Sequence, residues 1–96
     1  MNMIDYTERR AIYEAAIARN GTLLQMIVAV EELSEAQKEI CKQLRDEGNL
    51  EHLAEEVADA TIVLEQLRVM FNINESVCRY MDEKVQRLAD RVKGSG

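Results

Sequence analysis

The fold is decided by residues 22–48, TLLQMIVAVEELSEAQKEICKQLRDEG, in which the first helix-breaking residue is the final Gly48. The whole chain has four glycines and no proline, so long uninterrupted helices are expected. Apolar side chains recur in this stretch at steps of three and four, a spacing that predicts an amphipathic helix packing along that seam. The seam consists of Leu23, Met26, Val30, Leu33, Ile40 and Leu44, and only Gln37 interrupts it.

Capping signals mark the start of this second helix and both ends of the helix before it. Asp5 and Glu8 have the spacing of a capping box, which predicts a first helix running to about Arg19 and ended by residues 20–21, Asn-Gly. Thr22 followed by Gln25 repeats the spacing and predicts the start of the second helix, which we expect to end at Gly48.

Two further helices follow from the same kind of signal. Asn49 is expected to cap a third helix over residues 50–71, and Asn72 with Glu75 forms another capping-box pattern that opens a fourth helix ending near Lys93. No alternating β pattern is present, so the sequence predicts an all-α domain of four helices over residues 1–93. Residues 94–96, Gly-Ser-Gly, are expected to form a flexible tail.

Composition and charge narrow the function classes. Hydrophobic residues make up 47% of the chain and charged residues 31%, a balance typical of a globular protein. The net charge of −6 disfavours a nucleic-acid partner, because it repels phosphates. No apolar run is long enough to span a bilayer, so no membrane partner is expected. Cys41 and Cys78 stand apart and are expected to be free thiols in a cytoplasmic protein.

The second and third helices are too apolar to be covered by this chain alone. The second helix is apolar on nearly all sides over residues 23–30, and so is the third over residues 60–71. Four helices in 96 residues cannot surround two such helices completely. We therefore expect self-association, as a homodimer or tetramer.

Two acidic motifs lie on faces that also carry apolar residues. Residues 31–35 read Glu-Glu-Leu-Ser-Glu, and residues 55–59 read Glu-Glu-Val-Ala-Asp. Carboxylates three apart share a helix face, and ionised carboxylates in a partly buried groove are costly unless paired. A divalent cation removes the conflict, and the absence of His and Cys from the motifs favours Mg²⁺ or Mn²⁺ over Zn²⁺. A solvated charged face is the alternative.

The paired pattern, Glu-Glu-x-x-Glu and then Glu-Glu-x-x-Asp about twenty residues later, resembles the signature of the MazG-like all-α nucleoside triphosphate pyrophosphohydrolases. The resemblance covers nearly the whole chain and is strongest to short single-domain phage or prophage proteins of this type. It implies Mg²⁺-dependent hydrolysis of an NTP or dNTP to the monophosphate and pyrophosphate. The metal ligands it implies are Glu32, Glu35, Glu56 and Asp59. Without a nearby histidine the general base would be a carboxylate, and the candidates are Glu31, Glu35, Glu39 and Glu55.

The resemblance also implies roles outside the acidic motifs. Lys84 and Arg87 on the fourth helix would contact the substrate phosphates, although cations near a helix C-terminus also serve to offset its dipole. Gln25 would lie on the nucleobase side of the substrate, but we favour the simpler role of capping partner to Thr22. Two other functions remain open: a metal- and nucleotide-binding helical oligomer without turnover, and a structural helical bundle.

Overall fold

The computed structural model describes residues 4–94, and these form four α-helices and no β-strand. The all-α prediction is therefore confirmed. Of the tail predicted at residues 94–96, only Gly94 belongs to the described residues. No helix in this part of the chain is both long and apolar enough to cross a membrane. The helices are α1 (Tyr6–Asn20), α2 (Thr22–Leu44), α3 (Leu50–Met70) and α4 (Asn74–Val92).

Two of the predicted N-caps are present. The Asp5 side chain accepts a hydrogen bond from the Glu8 backbone N–H at 2.8 Å, and Asp5 is the N-cap of α1. The Asn49 side chain accepts from the backbone N–H groups of Glu51 and His52 at the start of α3. These oxygens satisfy donors that have no partner inside the helix, which is why the two helices begin there.

The predicted capping box at the start of α2 is wrong. Gly21 alone separates α1 from α2, and its φ of 85° is a conformation that glycine tolerates best. Thr22 is consequently already helical, and no side chain caps the helix. Gln25 is 6% exposed and is held on the buried side of α2. It therefore belongs to the packing between helices and is no capping partner.

α2 ends before Gly48, through a residue in the left-handed conformation. Asp46 has a φ of 58°, and the next residue, Glu47, donates its N–H to the carbonyl of Lys42 at 2.9 Å. This six-to-one hydrogen bond is the Schellman pattern, which satisfies carbonyls at a helix C-terminus. Gly48 has a different role, since a Cβ there would overlap the Gln43 side chain.

The same ending closes α3 and displaces the predicted cap of α4. Asn72 has a φ of 53°, and Ile73 donates its N–H to the carbonyl of Arg68 at 3.0 Å. Asn72 is thus the left-handed residue after α3, and the N-cap position of α4 is taken by Ile73 without a side-chain bond. The prediction of a helix boundary at Asn72 is therefore correct, but Asn72 ends α3 and does not cap α4.

α2 and α3 form the main packing pair, a helical hairpin closed by residues 45–49. The most buried residues are Ala29 on α2 and Val63 on α3, at 3% and 4% exposure. Contrary to expectation, α2 packs through a row of small and polar side chains, because small residues let the two helices approach closely. The buried or half-buried members of this row are Gln25, Ala29, Glu32, Ala36, Glu39 and Gln43. The predicted apolar seam of α2 is mostly exposed, so it is not the face through which α2 packs within one chain.

α1 is held on α3 by a polar anchor. The buried Tyr13 hydroxyl donates a hydrogen bond to Glu65, and the Arg9 guanidinium lies 3.4 Å from the same carboxylate. Burial, reinforced by the bond to Glu65, raises the pKa of Tyr13 to about 12, so its hydroxyl remains a donor at physiological pH. Glu65 is therefore a structural residue of α3.

α4 extends away from the other helices. Among the described residues it contacts α3 alone, and Arg68 bonds Asn74 and the Met81 sulfur across the junction. An apolar stripe that includes Val85 and Leu88 stays half exposed along α4. The radius of gyration is 16.2 Å, against about 13 Å for a compact domain of this length.

Candidate divalent metal centre

Three carboxylates from the two acidic motifs meet between α2 and α3. Glu32 comes from α2, whereas Glu56 and Asp59 come from α3. One oxygen from each lies within 4.8 Å of the other two, and all three side chains are half-buried. The hairpin explains the meeting, because a short connection turns α3 back along α2 and brings the middle of one helix level with the first half of the other.

Burial and repulsion from neighbouring carboxylates both disfavour the ionised form of Glu32. Burial raises the pKa of this carboxyl, and the neighbouring Asp59 and Glu56 raise it further. Glu32 and Asp59 are near enough to share a proton, which also favours the protonated form of Glu32. The fold therefore holds Glu32 close to two carboxylates that disfavour its ionised form.

The pKa of Glu56 is also raised, and one of its carboxylate oxygens has no hydrogen-bond partner. Burial is again the largest cause of its raised pKa, followed by repulsion from Asp59 and from Glu35. Its Oε2 atom is buried and makes no hydrogen bond. A buried acceptor without a donor is uncommon in folded proteins and indicates a site that a cation or a proton would satisfy.

No protein cation neutralises this cluster. Across residues 4–94, no Lys or Arg side chain forms an ion pair with Glu32, Glu56 or Asp59. The nearest candidate on α2, Lys42, is paired with the buried Glu39 at 2.9 Å. Three carboxylates and no base therefore leave a net negative groove between the helices.

The donor set fits a hard divalent cation. Carboxylate oxygens are the ligands that Mg²⁺ prefers. Three such oxygens within 4.8 Å of one another are close enough to be offered to a single ion. Neither a histidine nor a cysteine belongs to the cluster, as expected for Mg²⁺ or Mn²⁺ and not for Zn²⁺.

The remaining acidic residues of the two motifs surround the cluster. Glu35, the fourth ligand that the resemblance implies, is exposed and lies outside the group of three, although it is near enough to raise the pKa of Glu56. Glu31 and Glu55 are also exposed and act on the cluster through their charge. Glu39 is tied to Lys42, which the sequence analysis missed although their spacing of three residues favours such a pair on a helix.

The predicted phosphate- and base-contacting residues lie elsewhere. Lys84 and Arg87 are exposed on α4, which does not touch α2 within the described chain. The fold of one chain thus does not bring them to the carboxylates. Gln25 lies on the same buried row of α2 as Glu32, two turns earlier.

The raised pKa values of Glu32 and Glu56 predict an unusual pH dependence for the metal-free protein. Between the ordinary carboxyl pKa of 4.5 and the raised values, the folded state binds more protons than the unfolded state. The free energy of unfolding should therefore fall as pH rises through this window. Urea unfolding in EDTA, at steps from mildly acidic to neutral pH, measures the slope.

A double variant, Glu32→Gln/Glu56→Gln, is the control for this measurement, because it removes both titrating groups. Its unfolding free energy should depend less steeply on pH than that of the wild type. Equal slopes in the two proteins would show that the cluster does not titrate as its geometry requires.

Comparison with known proteins adds no relative: no family model, no curated protein and no solved structure matches the chain. The likeness to MazG-like enzymes consequently rests on the spacing of the two acidic motifs and on their helical context. The geometry of the site has to support any function on its own.

Proposed function

We propose that the chain is a Mg²⁺-dependent nucleoside triphosphate pyrophosphohydrolase of the MazG-like type, and that it works as a homodimer or tetramer. The observation that carries the proposal is the meeting of Glu32, Glu56 and Asp59 without a neutralising cation. Two motifs that are ordinary singly are brought together by the hairpin, and one of their oxygens is buried without a partner. A solvated acidic face would have kept its carboxylates apart and in water.

The reaction is hydrolysis at the α-phosphorus. A water oxygen forms a bond to that phosphorus, the bond from phosphorus to the bridging α,β-oxygen breaks, and pyrophosphate leaves. When bound, Mg²⁺ would offset the negative charge that develops on the phosphates in the transition state. Glu32, Glu56 and Asp59 would hold the ion, with Glu35 completing the ligand set or acting as a base.

A carboxylate beside the cluster takes the proton of the attacking water. The candidates Glu31, Glu35 and Glu55 are all exposed and lie near enough to the cluster to act on it through their charge. Glu39 is a poorer base, since its charge is already paired with Lys42. Lys84 and Arg87 would neutralise the phosphate chain from the α4 helix of a neighbouring subunit.

The test is a panel of NTPs and dNTPs with Mg²⁺, in which pyrophosphate and orthophosphate are measured separately. We expect monophosphate and pyrophosphate in equal amounts, no nucleoside diphosphate, and loss of turnover in EDTA. Release of orthophosphate alone would contradict the proposed bond cleavage. If no nucleotide is turned over, isothermal titration with Mg²⁺ and nucleotide separates the binding oligomer, which takes up both, from the structural bundle, which takes up neither.

A further inference from the structure

Glu39 is the most deeply buried carboxylate of the described chain, at 7% exposure. It lies on the buried row of α2, two turns after Glu32 and therefore about 10.5 Å further along the same helix face. An ionised carboxylate at this depth is costly unless it is paired. Its partner is the ammonium group of Lys42, whose nitrogen lies 2.9 Å from the Glu39 carboxylate.

Glu39 stands beside the carboxylate cluster of Glu32, Glu56 and Asp59 without belonging to it. Because α3 returns along α2, Glu56 lies on the side of the cluster nearer the hairpin turn, and Glu39 lies on that side too. The charge of Glu39 is near enough to raise the pKa of Glu56. None of its oxygens joins the group of three, however. A fourth carboxylate thus borders the cluster and is bound by a base.

Stability alone is a weak reason for this ion pair. A buried pair of charges is often no more stabilising than apolar side chains of similar volume. Lys42 reaches Glu39 across one helical turn, and its side chain is still 40% exposed. The ammonium therefore stays in contact with water while it binds a buried oxygen. The effect of the pair on its surroundings is to cancel one negative charge, and to occupy one oxygen ligand, next to Glu56.

We propose that Lys42 is a positioning residue of the metal site: its ammonium holds Glu39 out of the ligand set, so that a divalent cation meets three carboxylates and keeps positions free for water and phosphate oxygens. This role rests on the metal site of the proposed function. A catalytic metal site needs open positions, and Mg²⁺ usually retains several waters. A fourth unneutralised carboxylate would occupy one position and would repel a triphosphate.

The test is isothermal titration of the nucleotide-free protein with MnCl₂. Lys42→Met leaves Glu39 charged and unpaired beside Glu56, and the dissociation constant for Mn²⁺ should fall at least ~10-fold, because the freed carboxylate attracts the cation at short range. Lys42→Arg retains a base that binds Glu39, so its constant should stay within about twofold of the wild type. A purely structural ion pair would change stability and leave the constant where it is.

Arg45→Met is the matched control for net charge, since it removes one positive charge from the same end of α2 by breaking the exposed pair with Glu47. Its dissociation constant should lie within about twofold of the wild type, because exposed charges act weakly at a distance. A Lys42→Met protein that binds Mn²⁺ no more tightly than Arg45→Met overturns the proposal.

Glu39→Gln covers the case in which Lys42→Met fails to fold, because it replaces the buried charge by an amide. The unpaired ammonium should now weaken Mn²⁺ binding at least ~3-fold, and an unchanged or lower dissociation constant contradicts the proposal. Glu39→Gln/Lys42→Met removes both charges and should return to the wild-type value. If the double variant binds as weakly as Glu39→Gln, Glu39 is itself a ligand and the proposal is wrong.

The outcomes separate this role from the proposed function. Equal dissociation constants in all variants refute the role of Lys42 and leave the enzyme assignment standing. The expected constants without pyrophosphate release from any nucleotide refute the enzyme assignment alone. A wild type that binds no Mn²⁺ refutes the metal site, and the role of Lys42 with it.

Discussion

Replacing Glu56 by Gln should lower the rate of pyrophosphate release at least ~100-fold while leaving the metal-free fold as stable as before, or more so. The amide keeps the shape of the side chain but removes a charge that the cation requires. The same substitution relieves repulsion from Asp59 and Glu35, and it gives the buried, unpartnered oxygen position a less costly group. Loss of activity without loss of stability distinguishes a ligand from a structural residue.

Glu51→Gln is the matched control, since it makes the same chemical change in the first turn of α3 on an exposed side chain. Its turnover at saturating Mg²⁺ should stay within about twofold of wild type. Glu65→Gln, which looks equivalent in the sequence, is a poor control because Glu65 binds Tyr13 and Arg9 and anchors α1. If Glu56→Gln retains full turnover, the assignment of the carboxylates is wrong.

Helix positions were predictable where one residue type has one strong local role. Asp5 and Asn49 accept backbone hydrogen bonds as their positions indicated, and all four helices lie close to their expected ranges. The errors fell on residues with two roles. Asparagine is favoured both as a helix N-cap and in the left-handed conformation. Asn72 adopts the left-handed conformation, in the Schellman ending of α3, and does not cap α4. Thr22 lost its capping role because Gly21 alone joins α1 to α2.

The packing of the hairpin was harder to predict, because hydrophobicity pointed to the wrong row. The apolar seam through Val30 and Ile40 is the stronger pattern, yet α3 approaches along Ala29 and the polar residues beside it. Small residues two turns apart on one helix face were the signal for close approach, and they can be seen in the sequence at Ala29 and Ala36. Seams left free by that contact are consistent with a chain that completes its core with a partner.

The sequence predicted only part of the acidic site. Spacing placed Glu56 and Asp59 on one face of α3, and the hairpin brings Glu32 to them. Spacing alone could not show that Glu35 would stay outside the group of three, because side-chain direction depends on how α2 is rotated against α3. The position of Lys84 depends on the path of α4 and on neighbouring subunits, which local pattern does not encode.

Addition of Mg²⁺ should raise the melting temperature of the metal-free protein by about 10–20 °C once the free ion exceeds its dissociation constant 100-fold. A ligand that binds only the folded state stabilises it at that ratio by about 2.7 kcal/mol. In a domain of this size each kcal/mol shifts the melting temperature by about 4–8 °C. The unfolded chain separates Glu32 from Glu56 and Asp59, so it has no comparable site.

The measurement is a thermal melt in EDTA followed by titration with MgCl₂ or MnCl₂, with KCl added to hold ionic strength constant. Constant ionic strength matters because simple screening of an acidic protein would also raise its stability. Glu51→Gln should show the wild-type shift, whereas Glu32→Gln/Glu56→Gln should show little of it and start from an equal or higher melting temperature. A wild-type melting temperature that does not move in millimolar Mg²⁺ or Mn²⁺ would mean that the three carboxylates meet without forming a metal site.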